Sequence, residues 1–364
     1  MKTKDVKKKL LKKHKRKKLT SSDFLSTGST LLNLALTGRP NCGFVKGKYH
    51  FIVGDSISGK TFLSLTCLAE AANNPQFKKY RFIYDNAEGG ALMDIEKFFG
   101  SKVAARMRPP RKLKDGTSIY STTIEEFYYH VDDALQKNRP FIYILDSMDS
   151  VSSKEEKNKF KQHKNANRKG KKAPGAYTDG KAKKNSAGIR QLLTPLRESN
   201  SILIIINQTR DKMGFGFEKK GTSGGHALRF YATWEIWLAV RDKITRTIQG
   251  KIRQLGIICQ IKIKKNRVTG RERTVTIPIY HSFGIDDIGS CINFLISEKH
   301  WKKKKDKGVV SGYHAKELNY IGTKEGIVRW VEEEGMEMDL RDLVGEIWNN
   351  IEAACAIKRK RRYE

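Results

Sequence analysis

The chain has 364 residues, and its 72 Lys and Arg residues against 39 Asp and Glu residues give a formal net charge of +33. This excess of positive charge indicates a polyanionic partner, with nucleic acid as the first candidate and a membrane surface as the second. No apolar run approaches the roughly 18 residues of a membrane-spanning helix, and the five cysteines are scattered without a CxxC pair. These features argue against a membrane protein, a disulfide framework and a zinc site. We therefore expect a soluble intracellular protein.

Positive charge is concentrated in blocks along the chain. The blocks are an N-terminal basic arm at 1–23, an insertion at 152–186, a cluster at 302–307 and a tail at 358–362. Each block is poor in apolar residues, which is typical of segments that bind anions or keep a protein soluble.

Apolar runs between these blocks predict the fold. Seven of them predict strands, at Tyr49–Val53, Arg81–Tyr84, Phe141–Leu145, Ile202–Ile206, Trp234–Val240, Ile257–Ile263 and Thr274–Ile279. Helix-like segments separate the first four runs, which is the pattern of a parallel sheet covered on both faces. The last three runs follow one another without long helices, which favours antiparallel strands. We predict an α/β fold whose core, at 24–283, has a mostly parallel central sheet extended by antiparallel strands, followed by a small α/β domain at 284–364.

The octet GDSISGKT at 54–61 matches the phosphate-binding pattern GxxxxGK[ST], between an apolar strand and the helix-like segment Phe62–Ala72. Its glycines let successive backbone amides form a nest for phosphate oxygens. We expect Lys60 at the β and γ phosphates and the Thr61 hydroxyl at Mg²⁺. The predicted nucleotide-binding residues are Gly54, Asp55, Ser56, Ile57, Ser58, Gly59, Lys60, Thr61 and Phe62. A nucleoside triphosphate and Mg²⁺ are therefore the expected ligands.

Carboxylates follow two of the predicted strands. Asp146 ends the run FIYILD, so a buried strand places it at the carboxyl edge of the sheet, where it can orient Mg²⁺ as a Walker B aspartate. Asp149 follows the end of this strand, and we expect it to cap a helix. Asp85 and Glu88 follow the second strand, and one of them can serve as general base for the attacking water. We favour Glu88, with helix capping as the alternative.

The fourth strand ends in INQTR at 206–210, and a glycine-rich segment follows at 211–225. Gln208, at the root of this segment, is placed to sense the γ phosphate and to set the order of the loop. Basic side chains neutralise phosphates and aromatic ones stack on bases, a combination used on single strands. The residues expected at DNA are Arg210, Lys212, Met213, Gly214, Phe215, Phe217, Lys219, Lys220, Gly224 and Gly225. The alternative is a surface loop whose phenylalanines pack on the core.

These motifs together resemble the RecA-like recombinase family of bacteria and their viruses. The matching stretches, in family order, are STGSTLLNLAL from Ser26, GDSISGKT from Gly54, IYDNAEGG from Ile83, YILDSMDS from Tyr143, LIIINQTRDKMGFGF from Leu203 and GTSGGHALRFYAT from Gly221. The resemblance implies a RecA-like P-loop ATPase that hydrolyses ATP in response to DNA. It also implies strand exchange in recombination and repair, through filaments on single-stranded DNA that pair with double-stranded DNA. The expected location is the cytoplasm of a bacterium or of an infected host cell, or the nucleus if the source is eukaryotic.

The resemblance also assigns individual residues. Glu88 matches the catalytic glutamate of the family, acting with Lys60 and Gln208, and Phe217 matches an aromatic position of its DNA-contacting loop. The run IKKNRV at 263–268 resembles the segment that reaches the ATP of a neighbouring subunit. Lys265 and Arg267 are therefore expected to contact ATP in trans.

The sequence is also consistent with two other functions. A hexameric DNA helicase or translocase shares the same core and would form a ring instead of a filament. A nucleotide-dependent DNA-binding mediator would use ATP only as a structural part. The insertion at 152–186 occupies the place of the family's first DNA loop, but its sequence resembles nothing specific.

Overall fold

The structure is a computed structural model, and it describes residues 18–170, 180–211, 220–306 and 309–360. Most of the expected basic arm, at 1–17, lies outside these ranges, as does the middle of the expected basic insertion, at 171–179. No helix of the described residues is both long enough and apolar enough to cross a membrane.

The strands are β1 (Phe24–Leu25), β2 (Phe44–Val45), β3 (Lys48–Gly54), β4 (Arg81–Asp85), β5 (Met107–Arg108), β6 (Arg111–Lys112), β7 (Ser118–Ile119), β8 (Phe141–Leu145), β9 (Ile202–Asp211), β10 (Lys220–Thr222), β11 (Trp234–Ile248), β12 (Lys251–Asn266), β13 (Thr274–Tyr280), β14 (Gly284–Ile285), β15 (Lys302–Asp306), β16 (Val309–Ala315) and β17 (Tyr320–Gly322). The helices are α1 (Thr30–Thr37), α2 (Lys60–Asn73), α3 (Ile95–Phe99), α4 (Ser101–Arg106), α5 (Ile124–Leu135), α6 (Lys154–Arg168), α7 (Gly180–Ser199), α8 (His226–Tyr231), α9 (Asp287–Ser297), α10 (Lys324–Glu333) and α11 (Glu337–Ala354).

The central sheet has the order β14-β13-β12-β11-β3-β9-β8-β4-β5, and β10 pairs with β9. All pairings from β11 to β5 along this order are parallel, whereas β12, β13 and β14 continue the sheet with antiparallel pairings. The predicted fold class, a mostly parallel sheet extended by antiparallel strands, is thus confirmed.

The central strands are buried because both faces of the sheet are covered. On β3 and β9, Ile52 and Ile204 belong to one apolar cluster, and Phe51 and Leu203 belong to another. Adjacent residues of a strand point to opposite faces, so a continuous apolar run fills both layers. This explains why the first four runs lack an alternating polar pattern.

The strands β11 and β12 form a hairpin much longer than the predicted strands. Gln249 and Gly250 make its two-residue turn with φ angles of 52° and 72°, which suits a tight hairpin turn. The distal half, near this turn, is mostly exposed. Because the distal half of the hairpin does not pack on a core, its apolar and polar residues do not alternate regularly. The sequence therefore did not predict the full length of these two strands.

The C-terminal region carries the small sheet β15-β16-β17 and the helices α9, α10 and α11. Its buried residues, including Leu295, Ile327 and Val344, belong to the same apolar cluster as Leu32 and Ile52. A separate domain at 284–364 therefore stays a prediction.

Candidate functional site

The loop between β3 and α2 is built around two glycines. A Cβ on Gly54 would lie 2.6 Å from the carbonyl oxygen of Leu238, and one on Gly59 would lie 2.5 Å from a methyl group of Ile279. Gly59 also has a φ of 92°, in the left-handed region that favours glycine. The loop can therefore close over the start of α2 only with glycine at both positions.

Two side chains at the start of α2 face the adjoining strand ends. The buried Lys60 donates from Nζ to the carbonyl oxygen of Asp55 at 2.6 Å. Burial lowers the pKa of the Lys60 ammonium, while nearby carboxylates, Asp146 before Glu88, oppose that shift. Thr61 Oγ1 donates to Asp146 Oδ2 at 2.6 Å. The predicted pair of Mg²⁺ ligands is thus brought together.

A cavity of about 250 Å³ adjoins this loop. Besides residues of the loop it is lined by Met93, Ile257, Ile279 and His281. The sequence reasoning missed these four residues because they come from three separate segments and form no local motif. Their mainly apolar surface suits a flat heterocyclic ring beside the phosphate loop.

Asp85 and Glu88, which the sequence left as alternatives, have different surroundings. Asp85 is fully buried and accepts hydrogen bonds from Ser121 N at 2.9 Å, Ser121 Oγ at 2.5 Å and Tyr143 OH at 2.6 Å. Burial raises the pKa of Asp85, and these hydrogen bonds oppose the shift. Because its oxygens are already occupied within the core, Asp85 is placed to hold strands together and not to meet water.

Glu88 is more open and lies among polar side chains. Its Oε1 accepts from Gln208 Nε2 at 3.3 Å, and its Oε2 accepts from Ser147 Oγ at 3.3 Å. The Glu88 backbone nitrogen donates to the carbonyl oxygen of Asp146 at 2.9 Å. The carboxylate favoured as general base therefore lies beside both the Walker B strand and the root of the glycine-rich segment.

The expected helix cap at Asp149 is wrong. No helix begins there; instead, Asp149 Oδ2 accepts from the backbone nitrogen of Gln208 at 2.5 Å, and Oδ1 accepts from Ser223 Oγ. Arg210 forms an ion pair with the same carboxylate at 3.5 Å. Asp149 thus joins both ends of the glycine-rich segment. This role can be recognised only from the tertiary structure.

The glycine-rich segment is described only at its two ends. Lys212, Met213, Gly214, Phe215, Phe217 and Lys219 lie outside the described residues, and only the backbone of Lys220 is described, paired with Asp211.

The return of this segment packs on α7. Asn185 Nδ2 donates to the carbonyl oxygen of Gly224 at 2.9 Å, and a Cβ on Gly225 would lie 2.6 Å from Ala182. At the outgoing end, Arg210 is 62% exposed and Thr209 Oγ1 donates to Asp55 Oδ1. The glycine-rich segment therefore begins at the end of β9, beside the phosphate loop, and its C-terminal end packs on α7.

Lys265 and Arg267, the expected trans contacts, bind the carbonyl end of α8. Lys265 Nζ donates to the carbonyl oxygens of Arg229 at 2.9 Å and Phe230 at 2.5 Å, and Arg267 also donates to Phe230 O. Cations at a helix C-terminus are favoured by the helix dipole.

The register of the sheet separates these cations from the chain's own phosphate loop. Lys265 pairs with Glu235, which pairs with Phe51, and Gly54 lies three residues further along β3. At about 3.3 Å per residue, Lys265 is about 10 Å nearer the amino edge of the parallel strands.

The helix α6 carries a stripe of five cations, which we call the α6 stripe. Its members are Lys154, Lys157, Lys161, Lys164 and Arg168, all exposed. Their spacing places them on one helical face, about 21 Å long. The opposite face, with Glu156, Lys159, His163 and Ala166, is half-buried, so the stripe faces solvent.

We predict that the two carboxylates differ in their contribution to stability. Asp85→Asn replaces one buried acceptor oxygen by an amide and should lower the free energy of unfolding by about 1–3 kcal/mol. Glu88→Gln preserves the shape of a more open side chain and should change it by less than about 0.5 kcal/mol. Urea denaturation of both variants measures this difference, and equal losses would contradict the assignment.

Comparison with known proteins supports the family resemblance. The family described as the RecA N-terminal domain matches residues 168–286. The protein RecA of Malacoplasma penetrans is 28% identical over 283 residues, which cover 77% of this chain and 75% of that protein. The protein RecA of Thermus thermophilus is 26% identical over 287 residues, covering 76% and 72% respectively.

The matched range 168–286 includes the glycine-rich segment and the run with Lys265 and Arg267. A solved structure, that of the RadB recombinase, aligns with 72% of this chain and 99% of its own at 17% identity. The TM-score of this alignment is 0.47. The sequence matches support the resemblance drawn from the motifs: about three quarters of this chain is similar in sequence to the RecA proteins.

Proposed function

We propose that this chain is a DNA-dependent ATPase of homologous recombination and repair that forms filaments on single-stranded DNA and exchanges strands with a duplex. The observation that carries the proposal is the path of β9. Its Gln208 pairs with Gly54 of the phosphate loop and contacts Glu88, and the strand then continues into the basic, aromatic and glycine-rich segment. A single strand thereby joins a triphosphate pocket to a DNA-binding loop.

In this proposal ATP binds along the phosphate loop, with its base in the apolar cavity beside Met93 and Ile257. The Thr61 hydroxyl and the Asp146 carboxylate supply oxygen ligands of the kind that Mg²⁺ accepts together with phosphates and water. Bound Mg²⁺ would neutralise charge on the β and γ phosphates. Lys60 adds a buried positive charge beside them.

Glu88 is the proposed general base. Its carboxylate is held loosely, at 3.3 Å from both Gln208 and Ser147, so it can exchange these partners for a water molecule. Gln208 then faces the γ phosphate and reports its presence to the loop. Loss of that phosphate would alter the Glu88–Gln208 contact and with it the order of the segment.

DNA is proposed to bind on the carboxyl edge of the sheet. Arg210, Gly224 and Gly225, at the ends of the glycine-rich segment, are proposed contacts together with the residues of its interior. The α6 stripe adds phosphate contacts, because Lys161, Lys164 and Arg168 form no ion pair with any carboxylate of the described residues. An ion pair links the first turn of α6 to α7, with 3.8 Å between Glu156 Oε2 and Lys181 Nζ.

The placement of Lys265 and Arg267 supports the proposed self-association. Both lie toward the amino edge of the sheet, away from the chain's own phosphate loop. In the proposed head-to-tail assembly, the amino edge of one subunit meets the carboxyl edge of the next. The two cations would then leave the α8 carbonyls and bind the neighbour's ATP.

ATP turnover with and without single-stranded DNA tests the proposed ATPase activity. We expect the DNA to stimulate turnover severalfold, and Glu88→Gln to lower the stimulated rate by at least about 100-fold. Lys60→Ala should lose ATP binding. The exposed Glu332→Gln is a matched control that should keep full turnover.

Turnover that is unchanged by DNA would contradict the proposal, as would full activity of Lys60→Ala. In that case nucleotide would have only a structural role.

Mixing of inactive variants tests whether the site is shared between subunits. Arg267→Ala and Lys60→Ala should each abolish DNA-stimulated turnover alone, whereas Lys262→Ala, on the same strand, should not. An equal mixture of the two inactive variants should recover about a quarter of the wild-type rate, because one junction in four then combines an intact Lys60 with an intact Arg267. The absence of any recovery would argue for a site completed within one subunit.

A further inference from the structure

A second cavity, of about 430 Å³, lies at the amino edge of the sheet, whereas the phosphate loop lies at the carboxyl edge. It is formed where β4 begins, beside the edge strand β5, and we call it the edge cavity. Its neutral walls include Tyr80, Phe82, Pro109 and Pro110. Arg81, the first residue of β4, places the cavity at the amino end of the parallel strands.

The lining of the edge cavity is charged with one sign only. Its charged residues are Lys78, Arg81, Arg106, Arg108, Lys137 and Arg139. No carboxylate lines it, and none of these six cations forms an ion pair with a carboxylate in the part of the chain that the structure describes. A neighbouring cavity that shares Arg139 is lined also by Asp132 and Glu198, so the lining of that cavity, unlike that of the edge cavity, includes carboxylates.

All four guanidinium groups of the lining donate to backbone carbonyls. Arg108 donates to the adjacent Met107 O at 2.8 Å, and the other three bond to residues further away in the chain. Arg81 donates to Ala134 O at 2.5 Å and to Arg139 O at 2.9 Å, and Arg139 donates to Lys79 O at 3.4 Å. These bonds use only some of the five donors of each guanidinium. Arg81 Nε is shielded from solvent and has no hydrogen-bond partner.

Arg106 is held in the same way. It donates to Phe77 O at 2.8 Å and to Tyr80 O at 3.0 Å, and its guanidinium lies 3.9 Å from the centre of the Phe82 ring. Fixed guanidinium groups lose little conformational freedom on binding, and their fork of donors matches phosphate oxygens. The edge cavity is thus prepared for an anion.

We propose that the edge cavity binds phosphate groups. A single carboxylate would leave most of the six charges uncompensated, whereas consecutive phosphates would neutralise several. The exposed Arg111, Lys112 and Lys114 follow the cavity wall directly and extend the positive surface. Phosphates can come from a nucleic-acid backbone or from a free phosphorylated small molecule, and the test separates these sources. The proposal does not depend on ATP hydrolysis.

The test compares two triple variants of the full-length chain. The cavity variant is Lys78→Gln, Arg108→Gln and Lys137→Gln, which removes exposed cations and keeps the arginines bonded to neighbouring segments. The control variant, Lys97→Gln, Arg190→Gln and Arg329→Gln, removes the same charge from exposed positions elsewhere. Thermal denaturation checks that both remain folded.

One arm measures binding of a fluorescein-labelled oligonucleotide by anisotropy, without nucleotide and over a range of salt concentrations. The other measures binding of inorganic pyrophosphate by calorimetry, with a non-hydrolysable ATP analogue in excess. If the backbone of DNA is the source, the cavity variant should lose at least about tenfold in DNA affinity, and its salt slope should fall by about 2–3. The control variant should lose much less.

Loss of pyrophosphate binding by the cavity variant, with unchanged DNA affinity, would support a phosphorylated small molecule as the source. Unchanged binding in both arms, or equal losses in the control variant, would overturn the proposal. Neither arm measures hydrolysis, so failure here is distinct from failure of the proposed ATPase function.

Discussion

The arrangement depends on one strand, β9, which lies between β3, the strand of the phosphate loop, and β8, the strand that leads to Asp146. Buried side chains on both faces fix its register, because a shift by one residue would exchange its two apolar faces. Gln208 is therefore held level with Gly54, and Thr209 bonds Asp55 one residue later. The phosphate loop and the root of the glycine-rich segment are therefore linked by direct contacts, through which a change at the phosphates can alter the segment.

The proposed binding sites are divided between the two edges of the sheet. The carboxyl edge holds the phosphate loop, Glu88 and both ends of the glycine-rich segment. The amino edge holds the edge cavity, and Lys265 and Arg267 lie toward it, at the α8 carbonyls. In the proposed assembly, a chain built in this way completes its nucleotide site by stacking on another copy. The net charge of +33 is consistent with this division, since cations that form no ion pairs with described carboxylates occur both on the α6 stripe and in the edge cavity.

Much of the fold could be predicted from the sequence, since continuous apolar runs and the GxxxxGK[ST] spacing are local signals. The role of Asp149 could not, because its partners Gln208 and Ser223 are distant in the chain. The apolar cavity beside the phosphate loop and the edge cavity were also missed, because each is assembled from short segments. The sequence already favoured Glu88 over Asp85, but the burial of Asp85 could not be predicted because it depends on the packing of the neighbouring strands.

The central claim is that occupancy of the triphosphate pocket is transmitted through Gln208 to bound DNA. The most direct measurement is the affinity for a single-stranded oligonucleotide without nucleotide, with a non-hydrolysable ATP analogue and with ADP. We predict that the analogue tightens binding by about 5- to 150-fold relative to ADP, the usual range of coupling between two sites, and that Gln208→Ala removes most of this difference. Equal affinity in all three states would contradict the claim.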